Sequence, residues 1–198
     1  GSKSNDWSEF GYLGVAALSN GNYVVMSPSW DNGVAVDAGA ATWGNGATGV
    51  SGLVSASNSL VGSLGYSQVG SWVTALSNGN YVVSSPQWGS ATAADVGAVT
   101  WGDGTTGIVG SVSAANSLVG STAGDGVGSS GASAAVKELS NGNYVVSSAL
   151  WNNGAVVDAG AATWGNGTAR WGSRARSARP IAWWAGQPAT GSASRSRR

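Results

Sequence analysis

Three aspartates recur at like positions in this chain. Asp37, Asp95 and Asp158 lie 58 and 63 residues apart, each just before Ala-Gly or Val-Gly. Repetition would carry them to one face as a carboxylate ring. Such a ring can hold a divalent cation (calcium or another hard metal) and activate water against an ester or phosphoester. Asp6 and Asp125, in the segments that enter each unit, could join it. The plainer and favoured reading is that each aspartate bonds the amides of a turn. Trp30, Trp88 and Trp151 keep the same step. Exposed, they would offer flat faces for stacking on a glycan. Buried, they would pack between units, which is preferred because tryptophan is mostly buried. Trp43, Trp101 and Trp164, and Tyr23, Tyr81 and Tyr144, read as packing residues.

Composition removes much other chemistry. The 198 residues contain no cysteine and no histidine, so disulfides, thiol chemistry, histidine triads and zinc sites are excluded. Serines are plentiful, but none stands in a Gly-x-Ser-x-Gly context. Lys137-Glu138 breaks the pattern of the other copies and reads as a solvated pair. Charged residues are only 9% and balance to zero. No nucleic-acid partner follows from charge. No apolar run approaches the ~20 residues of a membrane span, so no membrane insertion is expected.

The elements that place these residues are set by a repeat. Leu-Ser-Asn-Gly-Asn-Tyr-Val-Val begins unchanged at Leu18, Leu76 and Leu139, and Thr-Trp-Gly follows around Trp43, Trp101 and Trp164. Asn-Gly between apolar runs signals a hairpin, here expected as a type I′ turn. In the first copy the strands fall at Val15–Leu18, Asn22–Ser27, Gly39–Gly44 and Val50–Val61, with Pro28 closing the second. Gly, Ser, Thr and Val disfavour helix throughout. The strands lack a charged face, as expected of sheets covered on both sides by other sheets. The predicted fold is all-β: a β-propeller of four-stranded antiparallel blades, three per chain. Residues 1–14 are a tag remnant (Gly1-Ser2) and entry segment. Blades span 15–72, 73–135 and, incompletely, 136–168; residues 169–198 form a non-repeat tail.

Gly70–Leu76, Tyr81–Pro86 and Gly97–Gly102 resemble the blade plan of FG-GAP repeats in integrin-type β-propellers. They are also similar to tandem repeats of large bacterial surface proteins of the filamentous-haemagglutinin kind. The likeness covers about residues 7–168. It implies an extracellular or cell-surface bacterial protein with a structural or adhesive role. FG-GAP blades usually carry a calcium loop of acidic residues between their first two strands. Here that place holds Ser-Asn-Gly-Asn, so the resemblance does not bring calcium with it. A right-handed β-helix is the architectural alternative, but its parallel strands do not need Asn-Gly hairpins.

The tail differs in kind. Seven of the nine basic residues lie in it, and the Asn-Ser-Leu-Val-Gly strand of the earlier copies is missing. A shifted reading frame accounts for this. Trp183-Trp184 fixes TGGTGG, and another frame of that run can encode Leu-Val-Gly. A basic tail for an anionic partner is the alternative. Three blades cannot close a ring of the usual ~4–8, so a homodimer closing a six-bladed ring is expected. The leading functional expectation is a non-catalytic structural or adhesive module. A glycan-binding lectin and a metal-assisted hydrolase are the alternatives.

Overall fold

The computed structural model describes residues 14–129 and 135–170. The entry segment before Gly14, with Asp6, lies outside them, as does the chain from Trp171 onward with its frame-shift and anionic-partner expectations. The described residues are all-β, with no helix. Repeat 1 supplies β1 (Gly14–Ala17), β2 (Tyr23–Ser27), β3 (Ala40–Gly44) and β4 (Leu60–Val61). Repeat 2 supplies β5 (Trp72–Ala75), β6 (Tyr81–Ser85), β7 (Ala98–Gly102), β8 (Gly110–Ser111) and β9 (Ser117–Val119). Repeat 3 supplies β10 (Val136–Glu138), β11 (Tyr144–Ser148) and β12 (Ala161–Gly165). They form three sheets, ordered β1-β2-β3-β4-β8, β5-β6-β7-β9 and β10-β11-β12, none closed into a barrel.

Each repeat's own strands pair antiparallel. The register sets Tyr23, Tyr81 and Tyr144 opposite Gly44, Gly102 and Gly165. The ring lies flat over the glycine: a Cβ on any of the three glycines would stand 2.2–2.3 Å from the ring Cζ. Tyr-Val-Val and Thr-Trp-Gly are therefore one cross-strand unit, in which an aromatic ring covers the surface a glycine leaves bare.

Two expectations change. The hairpin is not type I′. Gly21 N–H donates to Leu18 O at 3.0 Å, Leu18 N–H to Asn22 O at 2.8 Å, and of the two central residues only Gly21 has positive φ, 87°. This is a three-residue loop, a type I turn followed by a glycine bulge. The bulge leaves Asn20 in an ordinary conformation, with its side chain directed sideways. The fourth strand is also shorter than Val50–Val61. Only Leu60–Val61 pairs with β3. In repeat 2 the earlier half of the same stretch forms β8, which pairs in parallel with β4 of the repeat before it. The sheet of repeat 1 thus ends on a strand lent by repeat 2.

The cores lie between sheets. One joins Leu18, Val24, Ala41 and Leu60 to Tyr81, Val83, Ile108 and Val112. Another joins Leu76, Val82, Val99 and Trp101 to Val136, Tyr144 and Val146. Small residues give each sheet a thin face, so a single repeat has little to bury alone. Stacking supplies the rest.

Candidate functional site

The turn end of each repeat grips the next one. Asn20 Nδ2 donates to Gly104 O at 2.7 Å, Asn22 Nδ2 at 2.8 Å and Trp43 Nε1 at 3.0 Å. One repeat later, Asn78 Nδ2, Asn80 Nδ2 and Trp101 Nε1 donate to Gly167 O at 2.8, 3.0 and 3.0 Å. Three donors from one repeat converge on a single carbonyl of its successor. Local bonds aim them. Asn20 Oδ1 accepts from Asn22 N–H and Asn78 Oδ1 from Asn80 N–H. Asn22 Oδ1 accepts from Gly46 N–H within its own repeat, and Asn80 Oδ1 from Gly104 N–H. The second asparagine therefore ties its own Gly-Asx-Gly turn and the following one together. A Cβ on Gly104 would lie 1.6 Å from Gly79 O, and on Gly167 1.7 Å from Gly142 O, so only glycine fits. Serine adds to the seam. Ser19 Oγ donates to Ser77 O, and Ser77 donates N–H and Oγ–H to Glu138 Oε1 at 2.8 and 2.6 Å. Glu138 is thus a seam acceptor rather than a merely solvated charge.

The opposite end of the seam carries the recurring aspartates. Asp37, Asp95 and Asp158 all have left-handed backbone, φ 50–52°, which Asp tolerates better than most residues. Asp37 O accepts from Gln68 N–H and Asp95 O from Gly126 N–H, both at 3.0 Å, with neighbouring carbonyls meeting Tyr66, Val69, Gly124 and Val127. The backbones of Asp37 and Asp95 thus line the join to the next repeat's entry loop. Burial, and then the nearby charge of Asp31, raise the Asp37 pKa. Among the described residues no three His, Cys, Asp or Glu side chains stand close enough together to hold a metal ion. Calcium or any other divalent cation has no cluster of that kind at these aspartates.

Trp30 and Trp88 are enclosed in the cores, and Trp151 is half-buried against the second of them. Beside each tryptophan the repeats diverge. Asp31 Oδ1 accepts from Asp37 N–H, and Asn152 Oδ1 from Asp158 N–H, both at 2.9 Å. Repeat 2 has Gly89 there. It leaves a cavity of about 440 Å³ bordered by Ser67, Gln87, Gly89 and Asp95. Ser67 Oγ and Trp88 Nε1 are buried and meet no hydrogen-bond partner among the described residues. Repeat 3 fills the matching space. Asp125, fully buried, accepts from Ser121 and Thr122 N–H through Oδ2 and from Asn152 N–H and Nδ2 through Oδ1. Burial works to raise its pKa, and these four bonds outweigh it, so the value lies below normal. Asp125 is thus a buried brace. Tyr81 is similarly enclosed. Burial pushes its pKa up to about 12, against a bond from Ile108 N–H.

The family model described as "Repeat of unknown function (DUF5650)" matches residues 17–71, 75–129 and 138–173. These three matches span most of the chain. The chain belongs to the DUF5650 repeat family. Its matched units coincide with the sequence repeat, each opening on the hairpin and the first two running into the next entry loop. No curated protein matches the chain.

Sequence reasoning chose the aspartates and tryptophans and passed over Asn20, Asn22, Asn78, Asn80, Gly104 and Gly167. A signal was present. The loop needs glycine at its bulge, but it does not need asparagine on both sides in all three copies of this chain. That surplus invariance marks a contact beyond the hairpin.

Proposed function

We propose that this DUF5650 chain is a non-catalytic structural or adhesive module, part of a bacterial surface or secreted protein. Its sheets stack as propeller-type blades. The carrying observation is the clamp: the recurring asparagines of the first two hairpins are committed to a carbonyl of the next repeat. A substrate site would need such groups free. The blade-like likeness to FG-GAP and surface-protein repeats supports the same reading, and so does the low charge. The enclosure of Trp30 and Trp88 and the left-handed turns at Asp37, Asp95 and Asp158 favour this reading over the lectin and hydrolase alternatives.

The test is equilibrium unfolding of the double variant Asn78→Ala/Asn80→Ala, followed by fluorescence and by hydrogen exchange. Repeats held only by their neighbours behave as a linear array of coupled units. The expected result is loss of a single cooperative transition, with repeat 3 exchanging first. Wild-type cooperativity in that variant would refute the reading.

A further inference from the structure

We propose that the outer face of repeat 3 binds repeat 1 of a second copy of this chain, head to tail, through the same clamp. This inference rests on the structural reading above and names its partner. The clamp has a donor half and an acceptor half, and the described residues leave one of each unused. On the donor side, Trp101 is 4% exposed beneath repeat 3, whereas Trp164, its equivalent, is 43% exposed. Asn141 Oδ1 accepts from Asn143 N–H, and Asn143 Oδ1 from Gly167 N–H, so both side chains are already aimed as in the other repeats. Among the described residues, Asn141 Nδ2, Asn143 Nδ2 and Trp164 Nε1 meet no acceptor.

The acceptor side matches. Gly104 and Gly167 are buried under the preceding repeat, and Gly46 is exposed. A Cβ on Gly107 would lie 2.8 Å from the Trp43 side chain; on Gly49, the equivalent, it would meet nothing within 4 Å. Ile108 is 2% exposed and its equivalent Val50 is 44% exposed. The stretch around Gly52-Leu53, which in repeat 2 forms β8 and pairs with the preceding repeat's β4, has Leu53 82% exposed. These surfaces continue an interface that the molecule already makes twice, so the incoming partner must present what repeats 2 and 3 present. The first repeat of another copy does so, placing its Gly46 carbonyl where Asn141, Asn143 and Trp164 converge. Such an interface is heterologous. Two chains related by a two-fold axis would close it into six repeats, and otherwise it propagates.

The two halves can be blocked separately, at residues exposed in the single chain. Val50→Asp puts a charge on the acceptor face. Asn141→Ala/Trp164→Ala strips the donor face. Sedimentation of the full chain is expected to show a mass of at least two copies. Each blocked variant, with a wild-type circular dichroism spectrum, should associate at least tenfold more weakly. An equimolar mixture of the two should regain a two-chain species, because each keeps the half the other lacks. A monomeric wild-type chain overturns the proposal; if Trp164 is then shielded from an aqueous quencher, the face belongs to the chain's own C-terminal segment. A mixture that fails to pair also overturns it, since a symmetric contact is not rescued by complementation. Neither failure touches the test of the clamp within the chain.

Discussion

Repeats 2 and 3 share the same hairpin and the same Thr-Trp-Gly strand, yet they live in different surroundings. Repeat 2 is covered on both sides. Its Trp101 indole is buried and bonded to Gly167 O, and Tyr81 is sealed behind Ile108. Among the described residues repeat 3 is covered on one side, with Trp164 43% exposed. Identical local sequence therefore gives identical strands and turns but different energetics. The strand and the turn are properties of the repeat; the clamp is a property of a pair.

The largest test of that contrast is at the tryptophans. With the chain monomeric, Trp101→Ala should cost about 3–5 kcal/mol, as for other large-to-small core changes. Trp164→Ala should stay within about 0.5 kcal/mol, as at other surface sites. Urea unfolding measures both. Similar costs would break the comparison.

Asp125 sharpens it next. Asp125→Asn turns a donor toward the Ser121 and Thr122 amides and should cost about 2 kcal/mol, the scale of bonds to a charged group. Ser67, its counterpart one repeat earlier, meets no partner among the described residues, so Ser67→Ala should be near neutral. The folded pKa of Asp125 lies below its ordinary 3.8. Its stabilisation is therefore complete above that value and is lost as pH falls through the folded pKa. Acid unfolding of Asp125→Asn should be flatter over that range than that of the parent.

A smaller effect separates Asn80 from Asn143. Among the described residues Asn80→Ala removes a bond to Gly104 N–H and one to Gly167 O, and Asn143→Ala only the bond to Gly167 N–H. The difference should be about 1 kcal/mol, one net hydrogen bond. Smallest is a gain. Gly89→Asn would supply repeat 2 with the side chain that Asn152 gives repeat 3. A Cβ there meets only ordinary contacts of 3.5–3.8 Å. We expect about 1 kcal/mol of added stability, read as a higher melting temperature.

Much of the fold was legible because alternation and turn residues are local. Tyr-Val-Val, Thr-Trp-Gly and the Gly-rich loops announce short strands, and the repeat announces stacking. The type of turn was not legible, since Asn-Gly suits both a type I′ loop and a glycine bulge. The split of Val50–Val61 was hidden too, because β8 exists only by pairing with another repeat. The aspartates drew attention as possible ligands, when their backbone φ explains their recurrence. The clamp escaped because its acceptor is a backbone carbonyl of glycine, which has no side-chain signature.

The central claim, that these asparagines act between repeats, rests most directly on Asn78 against Asn141. Each accepts from the amide two residues on. Among the described residues only Asn78 reaches another repeat, at Gly167 O. Urea unfolding of Asn78→Ala and Asn141→Ala, with the chain monomeric, isolates that one bond. The account predicts that Asn78→Ala costs about 1 kcal/mol more. Equal losses would contradict it.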